Sequence, residues 1–175
     1  MKRTAMMMAA AVAVIGATVP ASATAMQNND VVQVSRTTPP NRNLDKAREL
    51  RAQAEALFSQ PRQWRKAARL LEESARLRDA SDADGYMCLL YAGRIEAALG
   101  DLTGARENLE KAAAHAIARG SLVEAAHAYI DAAHVAADAK QIDAAKTLIE
   151  RASLLAQSPL LTAEQKAGLN SRLQS

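Results

Sequence analysis

From Leu44 onward, apolar residues recur at steps of three and four among polar and charged positions, the spacing of one face of an α-helix. The periodicity is interrupted at Gln60-Pro61, between Asp79 and Gly85, at Gly100-Asp101, Gly120-Ser121 and Lys140-Gln141, and at Ser158-Pro159. Helices are therefore predicted over residues 44–59, 62–78, 83–99, 102–119, 122–139, 142–157 and 163–174. No proline falls inside any of them, as a residue without an N–H donor requires. Ser121 with Glu124 and Thr162 with Gln165 have the spacing of capping boxes. The connections are short, so consecutive helices are expected to pack antiparallel as hairpins in an all-α domain.

The second helix of each hairpin carries a repeated stripe. Trp64, Ala67, Leu71 and Ser74 recur as Leu102, Ala105, Leu109 and Ala112, offset by 38 residues, and again as Ile142, Ala145, Ile149 and Ala152, offset by a further 40. Spacings of 3, 4 and 3 put each set on one helical face. One such hairpin cannot bury both its faces, so the pattern predicts stacked hairpins.

Gly100-Asp101-Leu102-Thr103-Gly104-Ala105, followed by Leu109-Glu110-Lys111-Ala112, resembles the turn and second helix of the tetratricopeptide repeat (TPR) family. Gly93 falls where that family prefers a small residue in the first helix, Ala133 matches it in the third repeat, and Glu55 takes the place in the first. The resemblance covers residues 44–157. It implies a short TPR-like superhelix of three repeats, with residues 163–174 as a polar capping helix. It further implies a concave groove, lined by the first helix of each hairpin, that holds a peptide or partner protein. By register the groove would present Glu49 from the first repeat, Met87, Leu90 and Arg94 from the second, and His127, Ile130 and His134 from the third. The Lys/Asn/Arg clamp with which chaperone-binding members hold a C-terminal carboxylate is not visible at these positions.

The first 25 residues have a different character. Lys2 and Arg3 precede an uncharged apolar run from Ala5 to Val19, then Pro20 and two A-x-A trios ending at Ala23 and Ala25. This is the form of a secretory signal peptide, cleaved after one of those two alanines. The 15-residue run would rise about 22 Å as a helix, short of a hydrocarbon core of roughly 30 Å. Export to the periplasm or the medium is expected, with no transmembrane segment in the mature chain. Residues 26–42, with Pro39-Pro40 and no helical period, read as a flexible leader. Cleavage after Ala25 lowers the formal charge from +3 to +1. Cys88 is the only cysteine, which excludes an internal disulfide and any multi-cysteine zinc site. Its apolar neighbours Met87, Leu89 and Leu90 point to a buried thiol.

Candidate chemistry is sparse. The chain has no glycine-rich phosphate loop, no G-x-S-x-G elbow and no H-E-x-x-H, so a non-catalytic module without a cofactor is expected. His127, Asp131, His134 and Asp138 share one helical stripe. His127, Asp131 and His134 supply an alternative reading as a small metal- or ligand-binding protein. His127 and His134 cannot share one ion, being about 10.5 Å apart along the axis. Arg62, Arg65, Lys66 and Arg69 form a basic face beside Trp64 that suits an anionic partner or an acidic membrane surface. Nucleic acid is disfavoured, because aromatic residues make up only 3% of the chain and offer no stacking platform. Residues 42–79 hold ten Lys/Arg against six Asp/Glu, whereas 80–175 hold nine against twelve, an asymmetry that permits weak head-to-tail self-association.

Overall fold

The computed structural model describes residues 41–174, and among these residues there are helices and turns but no strand. The signal peptide expected at 1–25, and the expected leader up to residue 40, lie outside the described residues. Seven α-helices follow one another: α1 (Arg42–Glu55), α2 (Trp64–Arg76), α3 (Ala83–Ala98), α4 (Leu102–Ala118), α5 (Leu122–Asp138), α6 (Ile142–Ala156) and α7 (Ala163–Leu173). A single 3-10 turn, Pro61–Gln63, leads into α2 with proline at its first position.

Two boundaries differ from expectation at the N-terminal end. The expected leader ran to residue 42, yet the helix begins there, because the Asn41 side chain accepts a hydrogen bond from the Leu44 N–H and caps it. At the other end, α1 stops at Glu55 rather than 59. Leu57 and Phe58 donate to carbonyls three residues back, tightening the chain into turns ahead of Pro61. Of the two expected capping boxes, Thr162 with Gln165 forms with both bonds present. Ser121 makes no side-chain cap, and Glu124 is instead paired with Arg119. Asp82 and Asp101 cap α3 and α4 through the N–H groups of Asp84 and Gly85, and of Gly104.

The turns between α3 and α4, α4 and α5, and α5 and α6 are built alike. At each, the N–H of the residue at positive φ (Gly100, Gly120 or Lys140) donates to Ala97, Ile117 or Ala137. The next N–H, of Asp101, Ser121 or Gln141, reaches back to Glu96, Ala116 or Ala136. These are Schellman closures, in which a left-handed residue turns the chain back while satisfying the last helical carbonyls. Lys140 takes the conformation (φ 61°) where its two counterparts are glycine.

Each helix packs on its neighbours in sequence, and α7 packs on both α5 and α6. Alanine supplies 18 of the 29 buried apolar residues among those described, so helices meet at close range rather than across long side chains. The repeated stripe lies in that seam: Ala67, Leu71, Ser74, Ala105, Leu109, Ala112 and Ala152 are all buried. Its last members are less covered, with Ile142 53% exposed, since only the short α7 follows α6. Gly93 marks the closest approach. A Cβ there would lie 2.8 Å from Leu109 Cγ and 2.9 Å from the Ala105 carbonyl oxygen. Ser74 stands where the later stripes have alanine, and its buried hydroxyl donates to the Ala47 carbonyl at 2.7 Å, docking α1 on α2. Cys88 is buried and reduced, as its neighbours suggested, and burial pushes its thiol pKa up.

Polar side chains link every second helix. Arg51 joins α1 to Asp84 of α3, Arg94 joins α3 to Asp131 of α5, and Arg172 of α7 reaches the same aspartate. On the even helices, Asn108 of α4 donates to Glu72 of α2, and Arg151 of α6 pairs with Glu110 of α4. Consecutive helices share the apolar seam, and these five links add polar ties between alternate ones. No helix among the described residues is long and apolar enough to cross a membrane.

Candidate functional site

The odd-numbered helices carry the residues expected on the groove. On α3 the buried positions Tyr86, Cys88, Leu89, Leu90, Ala92 and Gly93 turn Met87, Tyr91 and Arg94 outward at steps of four and three. On α5 the buried Ala126, Ala128, Ile130, Ala132, Ala133 and Val135 do the same for His127, Asp131 and His134. Arg94 is the link between the stripes, donating from Nη2 to Asp131 Oδ2 at 2.9 Å. Arg172 closes the cluster from α7, with one guanidinium nitrogen on Asp131 Oδ1 and Nη1 2.9 Å from His127 Nδ1.

Electrostatics fixes the protonation pattern. Burial lowers the His127 pKa, and the adjacent Arg172 guanidinium lowers it further against the pull of Asp131. The imidazole is therefore neutral near pH 7, with Nδ1 accepting from Arg172 and the proton on Nε2. Two guanidiniums, of Arg94 and Arg172, then share the Asp131 carboxylate. Asp131 is mostly covered at 15% side-chain exposure, whereas Arg94 keeps 47% of its side chain open. An acidic group of a ligand can reach Arg94 without displacing Asp131.

Several expected groove residues are elsewhere. Leu90, 7% exposed, and Ile130, 0% exposed, belong to the core and cannot touch a partner. Each lies off its helix's outward stripe, on the side pressed against neighbouring helices. Glu49 is exposed on α1 but engaged locally, paired with Lys46 at 3.2 Å and accepting from Gln53 at 2.9 Å. His134 is exposed one turn beyond Asp131. The alternative metal set fails on geometry: among the described residues no three His, Cys, Asp or Glu side chains converge on an ion. Asp131, its central member, is already flanked by two cations that would repel a metal.

Two residues of the cluster escaped sequence reasoning. Tyr91, 36% exposed, stands between Met87 and Arg94 with its ring 6.0 Å from Phe58 at a 53° tilt. Its outward direction was available from the α3 periodicity. Arg172 had no such signal, because its partners lie 41 and 45 residues away.

A second polar cluster sits where α2, α3 and α4 meet. The buried Asn108 side-chain nitrogen donates both to Glu72 Oε1 at 2.6 Å and to Glu96 Oε2 at 2.8 Å. A Cβ on Gly104 would be 3.2 Å from carboxylate oxygens of both Asp101 and Glu96, so three carboxylates crowd one region. Burial, opposed by the Asn108 hydrogen bond and reinforced by Glu72 and Asp101, pushes the Glu96 pKa up to about 7. The three carboxylates line a cavity of about 380 Å3 together with Arg65 and Arg69. The basic face of the sequence, Arg62, Arg65, Lys66 and Arg69, is exposed as expected. No protein-family model, curated protein or solved structure matches the chain.

Proposed function

We propose that this chain is an exported, non-catalytic interaction module, a TPR-like array of three hairpins and a cap, whose odd-helix face is a concave groove for an extended segment of a partner protein. The observation that carries the reading is the Arg94–Asp131 ion pair, which ties the outward stripe of α3 to that of α5. The two stripes together offer an apolar pair, the half-buried Met87 and the exposed Tyr91, beside the Arg94 guanidinium, whose side chain is 47% exposed. A segment placing an apolar side chain next to an acidic one would complement both. A rigid preformed face leaves most of the ordering cost to the partner segment.

The test is selection from a random peptide display library on the mature protein, followed by titration of the enriched peptides. Acidic peptides that lose at least tenfold in affinity against Arg94→Glu and Tyr91→Ala, with both variants retaining the helical circular dichroism of the wild type, support the reading. Enriched peptides indifferent to both substitutions, or none after repeated rounds, would sink it.

A further inference from the structure

The arginines of this protein are divided in use. Arg48 and Arg51 on α1, and every arginine from Arg78 onward (Arg78, Arg94, Arg106, Arg119, Arg151 and Arg172), are ion-paired with a carboxylate. Among the described residues, Arg42 at the start of α1 and the four of the α2 region, Arg62, Arg65, Arg69 and Arg76, have no such partner; Arg76 only donates to the Glu72 carbonyl. Lys66, beside them, has none either. Helix α2 buries Ala67, Ala68, Leu71, Ser74 and Ala75, which turns Arg65, Lys66, Arg69, Glu73 and Arg76 to the opposite side. Arg62 extends that row from the preceding 3-10 turn. Five exposed cations thus share one helix face with a single carboxylate, Glu73. The Glu72, Glu96 and Asp101 carboxylates line the same cavity as Arg65 and Arg69, Glu72 from one turn along α2, but form no ion pair with them.

We propose that this row is a docking surface for an anionic phospholipid bilayer, separate from the groove on the odd helices. Charge complementarity is the first reason: long cationic side chains left without internal partners match a sheet of phosphates. The composition of the row is the second. A docked protein needs an apolar core to its interface, and the row contains no apolar or aromatic residue. A fluid layer of headgroups needs charge without a fixed shape. The export expected from residues 1–25 places the face in a compartment bounded by membrane rather than beside nucleic acid. The row itself uses none of Met87, Tyr91 and Arg94, which stand on α3.

The test is co-sedimentation of the mature protein with vesicles of equal parts phosphatidylglycerol and phosphatidylcholine, and with vesicles of phosphatidylcholine alone. The expected result is binding to the anionic vesicles only, weakening steeply with salt. The variant Arg62→Gln/Arg65→Gln/Lys66→Gln/Arg69→Gln loses about fivefold in partitioning per charge removed, more than a hundredfold in all. A charge-matched control, Arg42→Gln/Lys140→Gln/Lys146→Gln/Lys166→Gln, keeps most of the binding, and circular dichroism confirms that both variants fold. Equal losses in the two variants would show a net-charge effect and overturn the assignment to α2. Failure to bind anionic vesicles, with capture of duplex DNA or polyglutamate instead, would overturn the lipid surface as the occupant. Binding to both vesicle types alike would overturn it as well.

Discussion

Replacing Glu96 by glutamine should stabilise the protein above neutral pH and flatten part of its pH dependence. The folded-state pKa of Glu96 is about 7 against an ordinary 4.5, so the folded chain holds a proton that the unfolded chain has released across that interval. Its contribution is fully present below about pH 4.5 and is lost as pH rises through 7. The displacement would correspond to about 3 kcal/mol for a fully shielded carboxyl. Glu96 is only partly buried beside an open cavity, and solvent screening reduces the expected effect to about 1–2 kcal/mol. Glutamine keeps a carbonyl oxygen to accept from Asn108 and gains an N–H that can donate to Glu72. Both are the roles of the protonated acid, now held at every pH. Other groups give slopes of the opposite sign. Burial lowers His115 and His127, and Asp82 is lowered because the Asp84 and Gly85 N–H groups and Arg78 outweigh its burial. The informative quantity is therefore the difference between variant and wild type. Thermal unfolding followed by circular dichroism at pH 5 and pH 8 should show Glu96→Gln gaining about 3–8 °C relative to wild type at the higher pH. At the lower pH the two should be nearly level. An equal offset at both pH values would refute a Glu96 carboxyl that holds its proton to near neutral pH in the folded chain.

Gly93→Ala should cost about 1–3 kcal/mol in urea unfolding, since the new methyl meets Leu109 and the Ala105 carbonyl inside 3.0 Å and α3 must back away from α4. Lys140→Gly should raise the free energy of urea unfolding by about 1 kcal/mol, because it relieves a side chain at φ 61° in a turn whose two counterparts use glycine. Arg172→Ala should raise the pKa of His127, measured by NMR titration of the ring protons, because it removes a neighbouring cation and leaves Asp131. An unchanged titration would mean that Arg172 does not occupy that position in solution.

The secondary structure was legible because its determinants are local. Apolar steps of three and four, the prolines and the glycine turns placed all seven helices, and the largest boundary error came where α1 gives way to tight turns before Pro61. Gly93 was identifiable as a small residue by resemblance, though the two atoms that exclude a side chain there are not local to it. The Ser121/Glu124 box had the right spacing and still failed, since Arg119 on the preceding turn competes for the same carboxylate. The groove register identified Met87, Arg94, His127 and His134 as surface positions. It misassigned Leu90 and Ile130, because one helical stripe can face a partner or a neighbouring helix and periodicity alone does not choose.

What the sequence determined by itself was the set of helices, their turns, the repeated alanine-bearing seam and the lone basic face of α2. Each of these follows from backbone preferences and from burial patterns a few residues long. Only the tertiary structure decided the partners. Asp131 entered the sequence reading only through an alternative metal or ligand set with histidines of its own helix, yet it is held by Arg94 from 37 residues before it and Arg172 from 41 after. Glu72 and Glu96, 24 residues apart in the chain, share one donor because α4 brings Asn108 between them. Charge pairing acts through space at a few ångströms, and the stacking of whole helices, not the spacing along any one of them, sets which charges come that close.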